Sequence, residues 1–145
     1  HEPYPGKEEN NHSEKYQLKA WDLDKPGNIR SEIARMNAIR NKHEAFQRTF
    51  NINFIPCSNS HIIAYLKQNF EKTDRFIVVV NMDWENQQGG RLDLTAKALD
   101  LGHTGTLRLV DHFADTPKEY LWDDKKPYLE LNPQTCPAHI FQIID

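Results

Sequence analysis

The spacing of apolar positions changes twice along this chain. Up to about residue 24 they are sparse. Tyr4, Tyr16, Leu18, Trp21 and Leu23 stand among Glu, Asn, Pro and Lys. Pro3, Pro5 and Gly6 exclude an early helix. A segment this polar buries too little apolar surface to offset its own ordering entropy, so those five side chains need another surface to lie on. From Ile29 the spacing becomes helical. Ile29, Ile33, Met36 and Ile39 fall on one stripe of an amphipathic helix. Asp24 is its expected cap and Pro26 its expected first-turn residue. Its end is expected near Lys42 or Glu44, and its stripe reads as a packing face.

From Asn51 the spacing shortens to that of strands. Runs at 52–56, 61–68, 76–81, 91–95, 106–113, 119–122, 128–131 and 138–143 are separated by turn residues. About eight short strands without intervening helices predict a mainly β fold, an antiparallel β-sandwich or barrel. Phe76-Ile-Val-Val-Val-Asn81 does not alternate. Its β-branched residues suit a sheet, and the missing alternation predicts a central strand covered on both faces. Trp84 to Gly90 is expected to be a loop with Gly89-Gly90 as turn residues. A short helical turn is expected within 96–105. The fold class is therefore a sandwich preceded by one amphipathic helix and a polar N-terminal tail.

Composition narrows the partners. The 145 residues suffice for one domain with a core. Lys and Arg number 18 against 21 Asp and Glu, a balance of -3. That offers no polyanion footprint, so nucleic acid is not an expected partner. No signal peptide or spanning helix is evident, which removes the membrane and suggests a cytoplasmic setting. The first residue is not Met, which reads as an excised or processed segment. Cys57 and Cys136 are expected as buried free thiols.

Candidate chemistry is thin. The seven histidines are scattered and form no metal-ligand spacing. His112 with Asp111 and Asp115 is the densest cluster. Strand neighbours point to opposite faces, so it reads as a surface turn. There is no Gly-x-Ser-x-Gly elbow, no phosphate-cradling Gly-rich loop and no recognisable setting for a catalytic cysteine. Carboxylates are plentiful but fall mostly in predicted loops, whereas a glycosidase pair must face each other across a rigid cleft. Asn11-His-Ser13 matches a short glycosylation sequon. Trp84, Tyr120, Trp122 and Tyr128 are candidates for a sugar platform, with core packing as the plainer reading.

The order of motifs nevertheless resembles one family. Pro5-Gly-Lys-Glu-Glu9, Ser13-Glu-Lys-Tyr16 and Trp21-Asp-Leu-Asp-Lys-Pro-Gly-Asn28 are similar to the end of the barrel in bacterial α-1,4-glucan:maltose-1-phosphate maltosyltransferases. These belong to the α-amylase superfamily, glycoside hydrolase family 13. Ile33-Ala-Arg-Met-Asn-Ala-Ile-Arg40 resembles the last barrel helix, with Met36 where the superfamily often has Leu. His43-Glu-Ala-Phe46 replaces its Pro-containing end. Val78-Val-Val-Asn-Met-Asp83 and Pro137-Ala-His-Ile-Phe141 resemble strands of the sandwich that follows the barrel.

The resemblance implies that residues 1–47 are the end of a (β/α)8 barrel and 48–145 a C-terminal all-β domain. It implies a parent enzyme that moves maltosyl units from maltose 1-phosphate to α-glucans, in glycogen or α-glucan metabolism. The family's catalytic carboxylates lie upstream, so this segment is expected to be non-catalytic, with no metal and no cofactor. Lys15 and Tyr16 match a family pair that helps bind the maltosyl donor. The implied partner is the upstream catalytic barrel, with α-glucan or maltose 1-phosphate engaged only through the parent. Without that barrel the first two dozen residues are expected to be mobile or docked differently. The alternatives are an α-glucan-binding module, or the C-terminal domain of an α-amylase or trehalose synthase.

Overall fold

A computed structural model describes residues 3–8, 10, 18, 20–95, 99–101, 106–123 and 125–144. The chain divides into two compact units, 1–31 and 32–145.

In the first unit two Pro-Gly pairs make tight turns. Lys7 N donates to Tyr4 O at 3.1 Å and Asn28 N to Lys25 O at 3.3 Å. Gly6 and Gly27 take φ of +74° and +81°, the left-handed corner that a Pro-Gly type II turn requires. This moves the predicted start of the helix. Gly27 is held out of helical geometry, so neither Asp24 nor Pro26 opens the helix. Helix α1 is Arg30–Lys42. Asn28 Oδ1 accepts from Arg30 N at 3.0 Å, the bond an N-cap makes.

The second unit is the sandwich. Its strands are β1 (Ile52–Phe54), β2 (Ile62–Gln68), β3 (Arg75–Asn81), β4 (Gln88–Arg91), β5 (Leu107–Asp111), β6 (Lys118–Trp122), β7 (Tyr128–Leu131) and β8 (Ala138–Ile143). Six form one sheet in the order β1-β2-β3-β8-β5-β6, and β4 pairs with β7 in a second sheet. Every pairing is antiparallel.

β3 lies inside the large sheet, and its lack of alternation has the expected cause. Ile77 and Val79 face the core between the sheets, with Leu66, Leu92, Leu131 and Phe141. Phe76 and Val78 face the other way and pack with Ile39 of α1, Ala45 and Ile140. Each face therefore meets its own apolar cluster.

The glycine pair departs from expectation. Gly89 and Gly90 lie within strand β4 rather than at a turn. A Cβ on Gly90 would stand 2.7 Å from Cys57 Sγ, and one on Gly89 would collide with the Tyr128 hydroxyl. The glycines serve close approach of neighbouring groups, the other use of glycine in a strand. The segment predicted as the strand, Arg91 to Thr95, continues from β4. Leu92 N donates to Pro127 O, Asp93 N to Pro56 O and Leu94 N to Lys125 O. The helical turn expected within 96–105 falls largely outside the described residues.

Candidate functional site

Tertiary contact assembles one constellation that the sequence left apart. Asp111 ends β5 and His139 lies on β8, with Cys136 just before it. Asp111 Oδ2 meets His139 Nδ1 at 2.7 Å. Cys136 Sγ lies 3.8 Å from both ring nitrogens of His139. The residue types match a Cys-His-Asp nucleophilic triad, but the chemistry does not. Sulfur equidistant from both nitrogens sits against the ring and is aimed at neither. Burial and the Asp111 charge push the Cys136 thiol up, away from the thiolate a nucleophile needs. His139 stacks on Phe141 at 4.7 Å.

Asp111 is 1% exposed. Burial pushes its carboxyl up, but His139 and the backbone N–H groups of Phe113 and Ile140 outweigh that, and the net shift is downward. It accepts from Phe113 N at 3.0 Å and Ile140 N at 3.1 Å. This is a locked structural carboxylate. The Cys136-x-x-His139 spacing was the one available signal, and only the pairing of β5 with β8 adds the acid.

His112 sits in the bend that follows β5, as its sequence setting suggested, but not on the surface. It is half-buried, and its Nε2 lies 2.9 Å from Gln142 Oε1. Its ring meets Phe76 and His43 edge-on. Asp111 instead meets His139, which stacks on Phe141 of the inter-sheet core, so the two neighbours do point to opposite faces. Burial pushes the His112 pKa down, and the neighbouring His43 and Lys42 add to it. Its partner His43, buried after α1, places Nδ1 2.9 Å from Asp74 Oδ1. Asp74 Oδ2 also accepts from Ala45 N at 3.0 Å. That carboxylate ties the end of α1 to the β2–β3 hairpin.

Asn81 and Asp83, two residues of the resemblance motif, are also structural. Asn81 Nδ2 donates to Leu131 O at 3.2 Å, which joins the two sheets, and to Asn86 O at 3.0 Å. Asp83 accepts from Glu85 N and Asn86 N, both at 3.0 Å, and from Gln88 Nε2 at 2.7 Å. These bonds, the Glu85 N–H first, hold its carboxyl at about 2.

The sugar-platform candidates separate. Tyr120 and Trp122 each pack edge-on against Phe141 at 5.1 Å, so they belong to the core. Trp84 is 78% exposed and Tyr128 is also exposed. The Tyr128 hydroxyl bonds to Glu130 at 3.1 Å. Lys15, Tyr16 and the sequon Asn11-His-Ser13 lie outside the described residues. Both cysteines are free and half-buried. No group of three metal-ligating side chains occurs among the described residues. Three carboxyls are displaced downward: Asp83 by the Glu85 N–H, Asp93 by the Thr95 hydroxyl, and Asp111. A glycosyl-transfer acid needs the opposite shift.

The architecture defines the class first: an antiparallel β-sandwich of a six-stranded and a two-stranded sheet, preceded by one helix. A noncanonic maltogenic α-amylase from Thermotoga neapolitana shares the fold, with a TM-score of 0.60 over 86% of this chain and 28% of that one, at 15% identity. The family follows from sequence. Residues 54–143 match the family described as "GLGE, C-terminal", and the chain belongs to that family. It is 40% identical to the α-1,4-glucan:maltose-1-phosphate maltosyltransferase of Chlorobaculum tepidum over 99% of this chain and 22% of that protein. It is also 40% identical to the enzyme of that name from Methylacidiphilum infernorum, over 96% of this chain and 20% of that protein. The chain thus spans about a fifth of the length of these relatives.

Proposed function

We propose that this chain is the non-catalytic C-terminal part of an enzyme that transfers maltosyl units from maltose 1-phosphate to α-1,4-glucans. The observation that carries this reading is near-complete alignment, 99% of the chain, with a fifth of a maltosyltransferase. The carboxylate chemistry agrees with it. Asp83 and Asp111 are held ionised by hydrogen bonds, so they neither donate a proton at neutral pH nor stand as free nucleophiles.

In this reading residues 1–47 complete a catalytic barrel and 48–145 form the sandwich that braces it. Lys15 and Tyr16 offer an ammonium and a phenol to the hydroxyls of the maltosyl donor. The exposed face of α1 supports a covering surface upstream. Ile33 is 49% exposed and Met36 52% exposed, unusual for the apolar stripe of a packed helix. A cytoplasmic setting accords with a phosphorylated sugar donor.

The test is phosphate release from maltose 1-phosphate with glycogen as acceptor. The full gene product is expected to release phosphate and this chain alone to release none. Turnover by the chain alone overturns the non-catalytic assignment, and an inactive full product overturns the maltosyltransferase assignment.

A further inference from the structure

At the free edge of the large sheet, a groove of about 720 Å³ opens between the segment leading into β1 and the end of β2. Its size falls among those of small-molecule sites, about 300–1,000 Å³. Phe50 and Phe70 line it and are 100% and 85% exposed. Large apolar side chains this exposed are costly to leave in water. Between them lie Asn51, Asn53 and Gln68. Asn53 is half-buried on β1, and its side-chain amide faces the groove's lining. Asn51 is pinned by its amide, which donates to Ala45 O at 2.9 Å and Gln68 O at 2.6 Å.

The cations at the rim are already matched. Lys72 is paired with Asp100, and Arg48 lies 3.7 Å from Glu44. The groove therefore does not select for an anion. Two phenyl faces beside the Asn53 amide suit a neutral ligand that has both apolar C–H faces and hydroxyl groups. That is the chemistry of a sugar chain.

We propose that this groove is a surface site for α-1,4-glucan, separate from the aromatic residues Trp84 and Tyr128. The assignment to the α-linked polymer rests on the maltosyltransferase reading. The phenyl rings of Phe50 and Phe70 stack on glucosyl rings, and the amide of Asn53 bonds their hydroxyls. Its role is to hold a polymer chain on the enzyme at a distance from chemistry.

The test is affinity electrophoresis of the full gene product in gels containing glycogen, alongside phosphate release with maltotetraose as a short acceptor. Phe50→Ala/Phe70→Ala removes two solvent-exposed rings and leaves the core intact. The double variant is expected to bind glycogen about tenfold more weakly, the loss of roughly 1.4 kcal/mol that truncation of an aromatic anchor brings. Its turnover on maltotetraose is expected to be unchanged. Retardation equal to that of the parent protein overturns the site. Equal retardation in hydroxyethylcellulose, a β-linked glucan, overturns the assignment to α-glucan. An enzyme inactive on maltose 1-phosphate that still loses glycogen binding in the variant sinks the maltosyltransferase reading and leaves the groove standing.

Discussion

Asp111 and Asp83 are both ionised acids held by donors, and they differ in what their loss does. Asp111 is buried against His139 and two backbone N–H groups. Asp111→Ala leaves those donors without an acceptor. The expected cost is about 3–5 kcal/mol, read as a lowered urea midpoint of this chain. Asp83 governs a loop and its effect is local. Its folded pKa of about 2 lies below the ordinary carboxylate value near 4. A depressed acid contributes fully above the unfolded pKa and loses its contribution as pH falls through the folded one. Amide-exchange protection of Asn86 is therefore expected to be complete above about pH 4 and to fade toward about pH 2. In Asp83→Asn that pH dependence is expected to vanish. Unchanged protection in the parent chain at pH 2 would contradict the assignment. The residue types were legible in the sequence; their burial and partners were not. Asp111 and His139 lie 28 positions apart and meet only through the pairing of β5 with β8.

At the scale of elements, β4 and α1 separate pattern from packing. The sequence places a turn at Gly89-Gly90 because glycine usually marks one. The actual constraint is the space available beside each residue, and the two glycines should respond differently to alanine. Around Gly90 the neighbours are Cys57 Sγ, Asn59 Cβ and Ile62 Cδ1, which are packed in place. Around Gly89 the obstacle is the end of an exposed Tyr128 ring. Gly90→Ala is expected to cost about 1–3 kcal/mol and Gly89→Ala less, because Tyr128 can swing away. Equal losses in denaturant unfolding would refute this. Helix α1 was legible as a stripe, but only its last position, Ile39, is buried against β3 and β8. Ile39→Ala is expected to cost about 2–4 kcal/mol. Met36→Ser should change this chain by no more than about 0.5 kcal/mol. In the full gene product the same Met36→Ser should lower the melting temperature measurably, if another surface covers that face.

The second unit is two sheets that close on one core, with the outer face of the larger sheet capped by the end of α1 and Ala45. That arrangement buries a continuous apolar core and leaves other large apolar side chains in water, Phe54, Leu121 and Trp84 among them. The exposed helix face and the edge groove between Phe50 and Phe70 are two such surfaces. The groove was invisible to motif search. Phe50 follows Thr49 in a connecting segment and Phe70 follows Asn69 in another, and nothing in either run signals that the two share a cavity. The aromatics that did attract notice divide by packing, with Trp122 in the core and Trp84 outside it.

The sequence by itself determined the class of the fold, most strand positions, the central role of β3 and the family resemblance. These are local properties, since the period of apolar residues follows from the geometry of one strand or helix. Tertiary structure decided the rest. It moved the helix start from Asp24 to Asn28, because Gly27 in a Pro-Gly turn halts helical geometry. It put Gly89 and Gly90 inside a strand, turned Asp111 and His139 into a buried lock, and brought two distant phenylalanines to one groove. The helix start is a local matter of that turn, but the other three depend on which strands lie side by side, an order set by long-range packing across the sheets and beyond the reach of a local pattern.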